Sequence, residues 1–478
     1  MAPPPIIASK GMALYAAKIW GNASLAVAVT YQVSTAIPLP RPMTQVPPIS
    51  LFQMCGYGLA SEVFLPLDVA VALAASGTGA RAPRRLLASA GLHALALAQQ
   101  CLAEGRILEA FSRLRGGDGD AGGSMKDKLL SRLSPRDLRP LPISFLEAQR
   151  VALSKSSRVN VKKDIPFGTH GLTLDVWRSN SVEEKEKKEK KPILIFIHGG
   201  MWTRGSSVVN SGTALLSSLA ADGEAVCLAV NYRKAPFNRW PAALDDVEEA
   251  VQWAYAHGDD PELNGDPRKI FLVGQSAGAH LAACLAAERP PPVPLAGLVL
   301  YYPVLDVLDH GGSAPGAATS GYFRFPISVP VLGVEAGSPS VRWFFSRFLC
   351  GVDAQDVGSA ATTQTLLEAS PLRRVTAAFP PSLVVHGSAD RHVPMEHSRS
   401  FIWNLRAARA AAAAAAAGRG VGVRANHDDD HDDARSCDAL VEIDTAPHTF
   451  DAFPNARPTH AANRGVRWWI KAQCGRFT

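Results

Sequence analysis

Ser276 stands in Gly274-Gln275-Ser276-Ala277-Gly278, between an uninterrupted apolar run, Ile270-Phe271-Leu272-Val273, and an alanine-rich stretch over 277–287. That order reads as strand, sharp turn, helix. A serine at such a turn sits on strained backbone that pushes its hydroxyl off the end of a sheet. A side chain two residues to either side would collide where helix and strand cross, so glycine fits at 274 and 278. The chemistry on offer is nucleophilic attack on a carbonyl. A serine hydroxyl is a weak nucleophile, so this chemistry needs a histidine to take its proton, a carboxylate to orient that histidine, and N–H donors for the developing oxyanion.

Short G-x-S-x-G strings arise by chance, so the remaining parts must be found elsewhere in the chain. A second apolar strand, Ile193-Leu194-Ile195-Phe196-Ile197, runs into His198-Gly199-Gly200-Met201-Trp202. Glycines there let main-chain N–H groups approach a substrate oxygen closely. The spacing predicts an oxyanion hole from the N–H groups of Gly199 or Gly200 together with Ala277, at the N-terminus of the elbow helix. One such donor is worth about 3 kcal/mol of transition-state stabilisation. His198 is expected to hydrogen-bond within its loop and shape the hole rather than act as a base. Further on, Pro381-Ser382-Leu383-Val384-Val385-His386-Gly387 reads as a strand with Asp390 on the loop after it. Leu440-Val441-Glu442-Ile443 reads as another, followed by His448. Ser276, Asp390 and His448 thus occur in that chain order, each just past the carboxyl end of a predicted strand, where ligands bind in open parallel sheets.

With these residues in view, the chain over about 160–475 resembles serine hydrolases of the α/β-hydrolase fold, in the esterase group related to hormone-sensitive lipase. Asn231-Tyr232-Arg233-Lys234-Ala235-Pro236, Trp240-Pro241-Ala242-Ala243-Leu244-Asp245-Asp246-Val247 and Gly265-Asp266-Pro267-Arg268-Lys269-Ile270 strengthen the likeness. The Gly-Gly-x-Trp and Gly-Gln-Ser-Ala-Gly-Ala-His pair is also similar to isoprenylcysteine methylesterase-like and kynurenine formamidase-like enzymes, and to bacterial esterases with a hydrophobic N-terminal extension. The departure is Met201, where many relatives carry a third glycine. The resemblance implies hydrolysis of a small-molecule carboxylic ester through an acyl-enzyme on Ser276, His448 and Asp390, with no metal or organic cofactor. A methylesterase of prenylated or lipid-linked esters and an arylformamidase use the same parts. From a different class, a catalytically silent hydrolase-fold receptor or scaffold would usually lack a triad member, and none is missing.

Each assignment has a rival. Ser276 could be a plain helix N-cap. Asp306 and Asp309 compete with Asp390, and His386, His392 and His397 compete with His448, which alone follows the last predicted strand.

Strands alternating with helical patterns, such as Leu244, Val247, Val251 and Ala254 on one face, predict a mostly parallel twisted sheet flanked by helices. A net charge of +6 without basic–aromatic interleaving argues against nucleic acid, and seven scattered cysteines indicate neither a zinc site nor a disulfide framework. Residues 306–370 occupy the place of a lid or of a structural crossover. Residues 407–436, a polyalanine run followed by His427-Asp428-Asp429-Asp430-His431-Asp432-Asp433, read as a low-complexity disordered insertion rather than a metal site. Residues 1–125 form a hydrophobic helical region with three apolar segments, Ala13 to Val33, Leu51 to Ala75 and Leu86 to Leu102, and a proline-rich spacer over 38–48. Residues 116–124 read as a linker, and 126–159 as lead-in to the catalytic domain. Membrane association of this region is favoured over a soluble helical domain in a cytoplasmic protein. Oligomeric state is not legible.

Overall fold

The computed structural model describes residues 17–29, 64–77, 84–114, 158–181, 189–207, 212–288, 294–308, 345–353, 356, 359–390, 392–417, 437–452 and 456–475. In chain order these begin with α1 (17–29), α2 (Leu65–Gly77), α3 (Arg84–Leu114), β1 (Val159–Phe167), β2 (Leu172–Ser179), β3 (Lys191–Ile197), α4 (Thr213–Ala221) and β4 (Val226–Val230). They continue with α5 (Ala242–His257), β5 (Gly265–Gln275), α6 (Ala277–Glu288), β6 (Gly297–Tyr301), α7 (Ala360–Glu368), β7 (Ser382–Gly387), α8 (Met395–Ala416), β8 (Ala439–Ile443) and α9 (Arg457–Cys474).

The eight strands form one sheet in the order β1-β2-β4-β3-β5-β6-β7-β8. β1, β2 and β4 pair antiparallel, and every pair from β4 to β8 is parallel. The central strands are continuous apolar runs because both faces are covered. Their side chains alternate between two cores. Ile193, Ile195, Ile197, Ile270 and Leu272 pack with Leu244, Val247, Val251 and Ala254 of α5 and Leu281 and Leu285 of α6. Leu194, Phe196, Phe271 and Val273 face the other way, onto Leu215, Leu216 and Leu219 of α4 and Val466, Trp469 and Ile470 of α9. The expected mostly parallel, helix-flanked sheet is therefore present, and so is the expected buried stripe of α5. The antiparallel β1–β2 edge was not read from the sequence. β1 is half-solvated, and its Lys162-Lys163-Asp164 interrupts the hydrophobic signal.

The polyalanine run corrects an expectation. Residues 407–416, expected in a disordered loop, are the last turns of α8, because alanine has the highest intrinsic helix propensity. Arg409 anchors this extension by pairing with buried Asp438 at 2.5 Å and donating to the Phe379 carbonyl at 2.8 Å. The His-Asp tract that follows lies outside the described residues, as do 30–63 with the proline-rich spacer, 115–157 with the linker and most of the lead-in, 182–188, and 309–344 of the suspected lid with Asp309. At the described ends of that stretch, Phe348, Leu349 and Leu366 pack on the first core.

α3 extends well beyond the apolar segment expected at Leu86 to Leu102, and its C-terminal half docks on the catalytic domain. Ala96, Ile107 and Phe111 join the second core, and Glu104 pairs with Arg457 at 2.8 Å. Phe111 fills a notch at Gly465, where a Cβ would lie 2.0 Å from the ring. Phe111→Ala is expected to cost about 3 kcal/mol or more through the cavity it leaves. Urea unfolding should show this, together with faster limited proteolysis within α3.

Candidate active site

The turn between β5 and α6 is governed by a close approach. A Cβ at Gly278 would lie 2.1 Å from the Ile197 carbonyl oxygen, and one at Gly274 would lie 2.6 Å from the Ala279 backbone. With no side chain at either position, α6 crosses directly over the ends of β3 and β5. Ser276 between them takes a left-handed φ of +50°, a conformation that a non-glycine residue holds only when its surroundings over-determine it. Its N–H donates to the Tyr301 carbonyl at 3.0 Å, and its own carbonyl accepts from His280 at 3.0 Å.

Ser276, Asp390 and His448, predicted from three separate segments, come together at the carboxyl edge of the sheet. His448 Nε2 lies 3.1 Å from Ser276 Oγ, and His448 Nδ1 lies 2.7 Å from Asp390 Oδ2. Asp390 is fixed from its other side. Its Oδ1 accepts from the N–H groups of His392 at 2.8 Å and Val393 at 2.9 Å. Burial by itself would raise the Asp390 carboxyl, but the charge of His448 and hydrogen bonds from His386 and His448 hold it well below the usual carboxylate range.

The loop expected to supply oxyanion donors lies alongside. A Cβ at Gly199 would lie 3.4 Å from Ser276 Cβ, and Gly200 adopts φ +121° with its Cβ direction blocked by the Arg204 carbonyl at 2.2 Å. Met201 and Trp202 follow at φ +58° and +59°, so Met201 holds a conformation that favours glycine. Ala277 is the first residue of α6. His198 behaves as expected within this loop. Its Nδ1 lies 2.7 Å from the Gly199 carbonyl, and its ring stacks on Tyr232 at 4.3 Å. Burial pushes its pKa down to about 4.

The rivals have other work. Asp306 pairs with Arg373 at 2.9 Å and caps the Leu308 N–H at 3.0 Å. His397 accepts from the Leu305 N–H at 3.3 Å. His386 and His392, read only as competitors of His448, instead surround the same carboxylate. His386 Nε2 lies 3.2 Å from Asp390 Oδ2, with its Nδ1 2.7 Å from Ser398 Oγ. The His392 ring lies 5.1 Å from that of His448, and burial pushes His392 down to about 4. The signal for His386 was its position four residues before Asp390, where strand meets loop. His280 was quoted in the sequence motif without a role. Its Nδ1 accepts from Trp202 Nε1 at 3.2 Å and its Nε2 lies 2.8 Å from the Ala369 carbonyl, so it braces the oxyanion loop. Burial takes it to about 4 as well. The adjoining motifs are joined by an ion pair, with Arg233 Nε donating to the fully buried Asp246 at 2.8 Å.

Among the described residues no group of three or more His, Cys, Asp or Glu side chains is placed to hold a metal ion. What this arrangement can do is move a proton from a hydroxyl to an imidazole beside main-chain donors.

A family model described as alpha/beta hydrolase fold matches residues 194–409. Esterase LipC of Mycobacterium tuberculosis is 39% identical over 286 residues, which are 59% of this chain and 58% of that protein. A probable isoprenylcysteine alpha-carbonyl methylesterase of Arabidopsis thaliana is 25% identical over 224 residues, 46% of this chain and 43% of that one. The chain therefore spans about half the length of the curated relatives it matches. Among solved structures, a carboxyl esterase of the fungus Tuber melanosporum aligns with TM-score 0.46 and 19% identity over 66% of this chain and 87% of its own.

Two outcomes are expected. Gly278→Ala should cost about 3 kcal/mol in urea unfolding, because the blocking atoms are backbone and cannot swing away. Because burial depresses them, His198, His280 and His392 should remain neutral, and their ring resonances in NMR should not titrate, between about pH 5.5 and pH 8.

Proposed function

We propose, from the premise that the chain has the α/β-hydrolase fold, that it is a carboxylic ester hydrolase working through an acyl-enzyme on Ser276. The observation that carries this reading is the unbroken hydrogen-bond chain from Ser276 Oγ through His448 to Asp390, at 3.1 and 2.7 Å. Both lengths fall within the reach that proton transfer requires. In this reading Ser276 attacks the ester carbonyl while His448 Nε2 takes its proton. Asp390 keeps the proton on Nδ1 and stabilises the imidazolium that forms. The N–H groups of Gly199 or Gly200 and of Ala277 receive the negative charge on the carbonyl oxygen. His448 then protonates the leaving alcohol, and afterwards removes a proton from the water that releases the acid.

The neutrality of His392, whose ring lies 5.1 Å from that of His448, supports the division of labour. A second imidazolium beside His448 would oppose the charge that His448 must gain during attack. The ionised state of Asp390 supports it from the other direction.

Steady-state hydrolysis of p-nitrophenyl esters of graded acyl length, alongside an aryl formamide, tests the reading and reports on substrate class. Ser276→Ala should lower kcat by about 10⁴-fold or more, and Asp390→Asn by about 10⁴-fold through loss of the productive tautomer. Unchanged turnover in Ser276→Ala would reject the reading.

We further propose that α1 to α3 associate with a lipid surface, because several of their polar side chains are buried while many of their large apolar ones face outward. Ser24, Asp68, Ser89, His93 and Gln100 are fully buried, whereas Ile19, Leu67, Val69, Leu73, Leu87, Leu95 and Leu102 are exposed. Four of these buried groups are paired with one another or with Trp20. Trp20 Nε1 donates to Asp68 at 2.7 Å, His93 Nδ1 lies 3.1 Å from the other Asp68 oxygen, and Ser89 donates to Ser24 at 2.9 Å. Water rewards the opposite arrangement, and lipid rewards this one. Among the described residues one helix, Arg84–Phe111, is long and apolar enough by length and composition to cross a membrane, and a third of its apolar 18-residue window is buried against the protein (33%). The full chain should float with phosphatidylcholine vesicles in a density gradient. Replacing Leu87, Leu95 and Leu102 together by Gln should leave it at the bottom with ester turnover retained, and wild-type protein at the bottom would reject the association.

A further inference from the structure

We propose that Asp451 is a positioning residue that sets the His448 imidazole against Ser276 by tying the loop after β8 to the ends of β5 and β6. The proposal rests on the reading of Ser276 and His448 as nucleophile and base.

Asp451 lies three residues after His448, in a 3-10 turn at Phe450–Ala452, and is 3% exposed. Its two carboxylate oxygens take donors from two different strands. Oδ1 accepts from the Tyr302 hydroxyl at 2.5 Å, and Oδ2 accepts from the side-chain amide of Gln275. Gln275 is the residue immediately before the nucleophile. Tyr302 follows β6, and its ring centroid lies 4.5 Å from that of His448. One carboxylate thus fixes both the backbone that carries Ser276 and the aromatic ring that the catalytic imidazole rests against.

Local geometry gives this tie a purpose. The residue after His448, Thr449, holds a left-handed φ of +57°, and Tyr302 holds +38°. A loop with such conformations does not keep its position by local preference and needs outside anchors. Phe450 supplies an apolar one, packed at 5.7 Å from Tyr302 and 6.1 Å from Tyr301. Asp451 supplies the directional one. A carboxylate suits the place because it offers only acceptors to two converging donors. An asparagine would present its NH₂ to one of them: facing the Gln275 amide it would set donor against donor, and facing Tyr302 it would reverse that bond and take away the acceptor of the buried hydroxyl proton. Neither Asp451 nor Tyr302 is placed to touch a substrate bond. Each acts through His448.

The test compares Tyr302→Phe, Asp451→Asn and the double variant with wild type, with Ser276→Ala and His448→Ala as reference, using p-nitrophenyl acetate. Folded, reactive enzyme is counted in each sample by its stoichiometric labelling with a fluorophosphonate. Per labelled site, each single variant should lose about tenfold or more in kcat, as expected for displacement of a proton-transferring group, with KM within about twofold of wild type. The double variant should fall short of the product of the two single losses, because both changes weaken the same three-residue tie. Wild-type kcat per labelled site in Tyr302→Phe and Asp451→Asn, with both reference variants inactive, overturns the positioning role and leaves the nucleophile and base in place. Activity surviving in Ser276→Ala overturns both.

Discussion

The site depends on one steric constraint, the contact distance between α6 and the end of β3. At Gly278 the helix backbone lies so close to the Ile197 carbonyl that even a methyl group has no room. That closeness throws Ser276 into its left-handed turn and places it beyond the sheet edge. It also sets Gly199 against Ser276, and it leaves the first N–H of α6 at the helix N-terminus beside the incoming loop. The strain at Ser276 is offset by the two cores that clamp β3, β5 and α6 from both sides, with Ile270 to Val273 and Ile193 to Ile197 all 0% exposed. Stability in the sheet and the placement of Ser276 at its edge are two results of one packing arrangement.

Around this elbow, charge is distributed so that one imidazole is free to change its state. Asp390 is shared by His448 and His386 and receives two main-chain N–H groups, which keeps it a carboxylate. His198, His280 and His392 are desolvated toward neutrality, and each is committed to shaping a loop or flanking the site. His448 sits on the loop after the edge strand β8 and reaches both serine and carboxylate. Its position is inherited from Asp390 on one side and, in our inference, from Asp451 and Tyr302 on the other.

Much of this was legible in the sequence, for physical reasons. Buried parallel strands carry apolar runs, so β3, β5, β6 and β7 announce themselves, while the edge strand β8 shows a shorter pattern broken by Glu442. The glycines at 274 and 278 mark a crossing that tolerates no side chain, and the chain order Ser276, Asp390, His448 follows from the order of strand ends. Half-solvated β1 carries no comparable pattern and was missed. In the polyalanine tail of α8, low complexity suggests disorder while the helix propensity of alanine favours the helix that forms. Asp451 and His386 escaped because a carboxylate three residues after a histidine, or a histidine within a strand, has many ordinary meanings until the fold shows what it faces. In the N-terminal region the sequence shows apolar segments. It does not show which face of each helix is inward, and the lipid association we propose rests on that.

The central claim is that Ser276 is the atom that attacks, made reactive by His448. It is tested most directly by exposing the full chain to a fluorophosphonate and locating the adduct by peptide mass spectrometry. The account predicts a single adduct on the peptide carrying Ser276 in wild type, and a much slower reaction at the same serine in His448→Ala. Ester hydrolysis by a chain that takes no adduct at Ser276, or equal labelling rates with and without the imidazole, would contradict it.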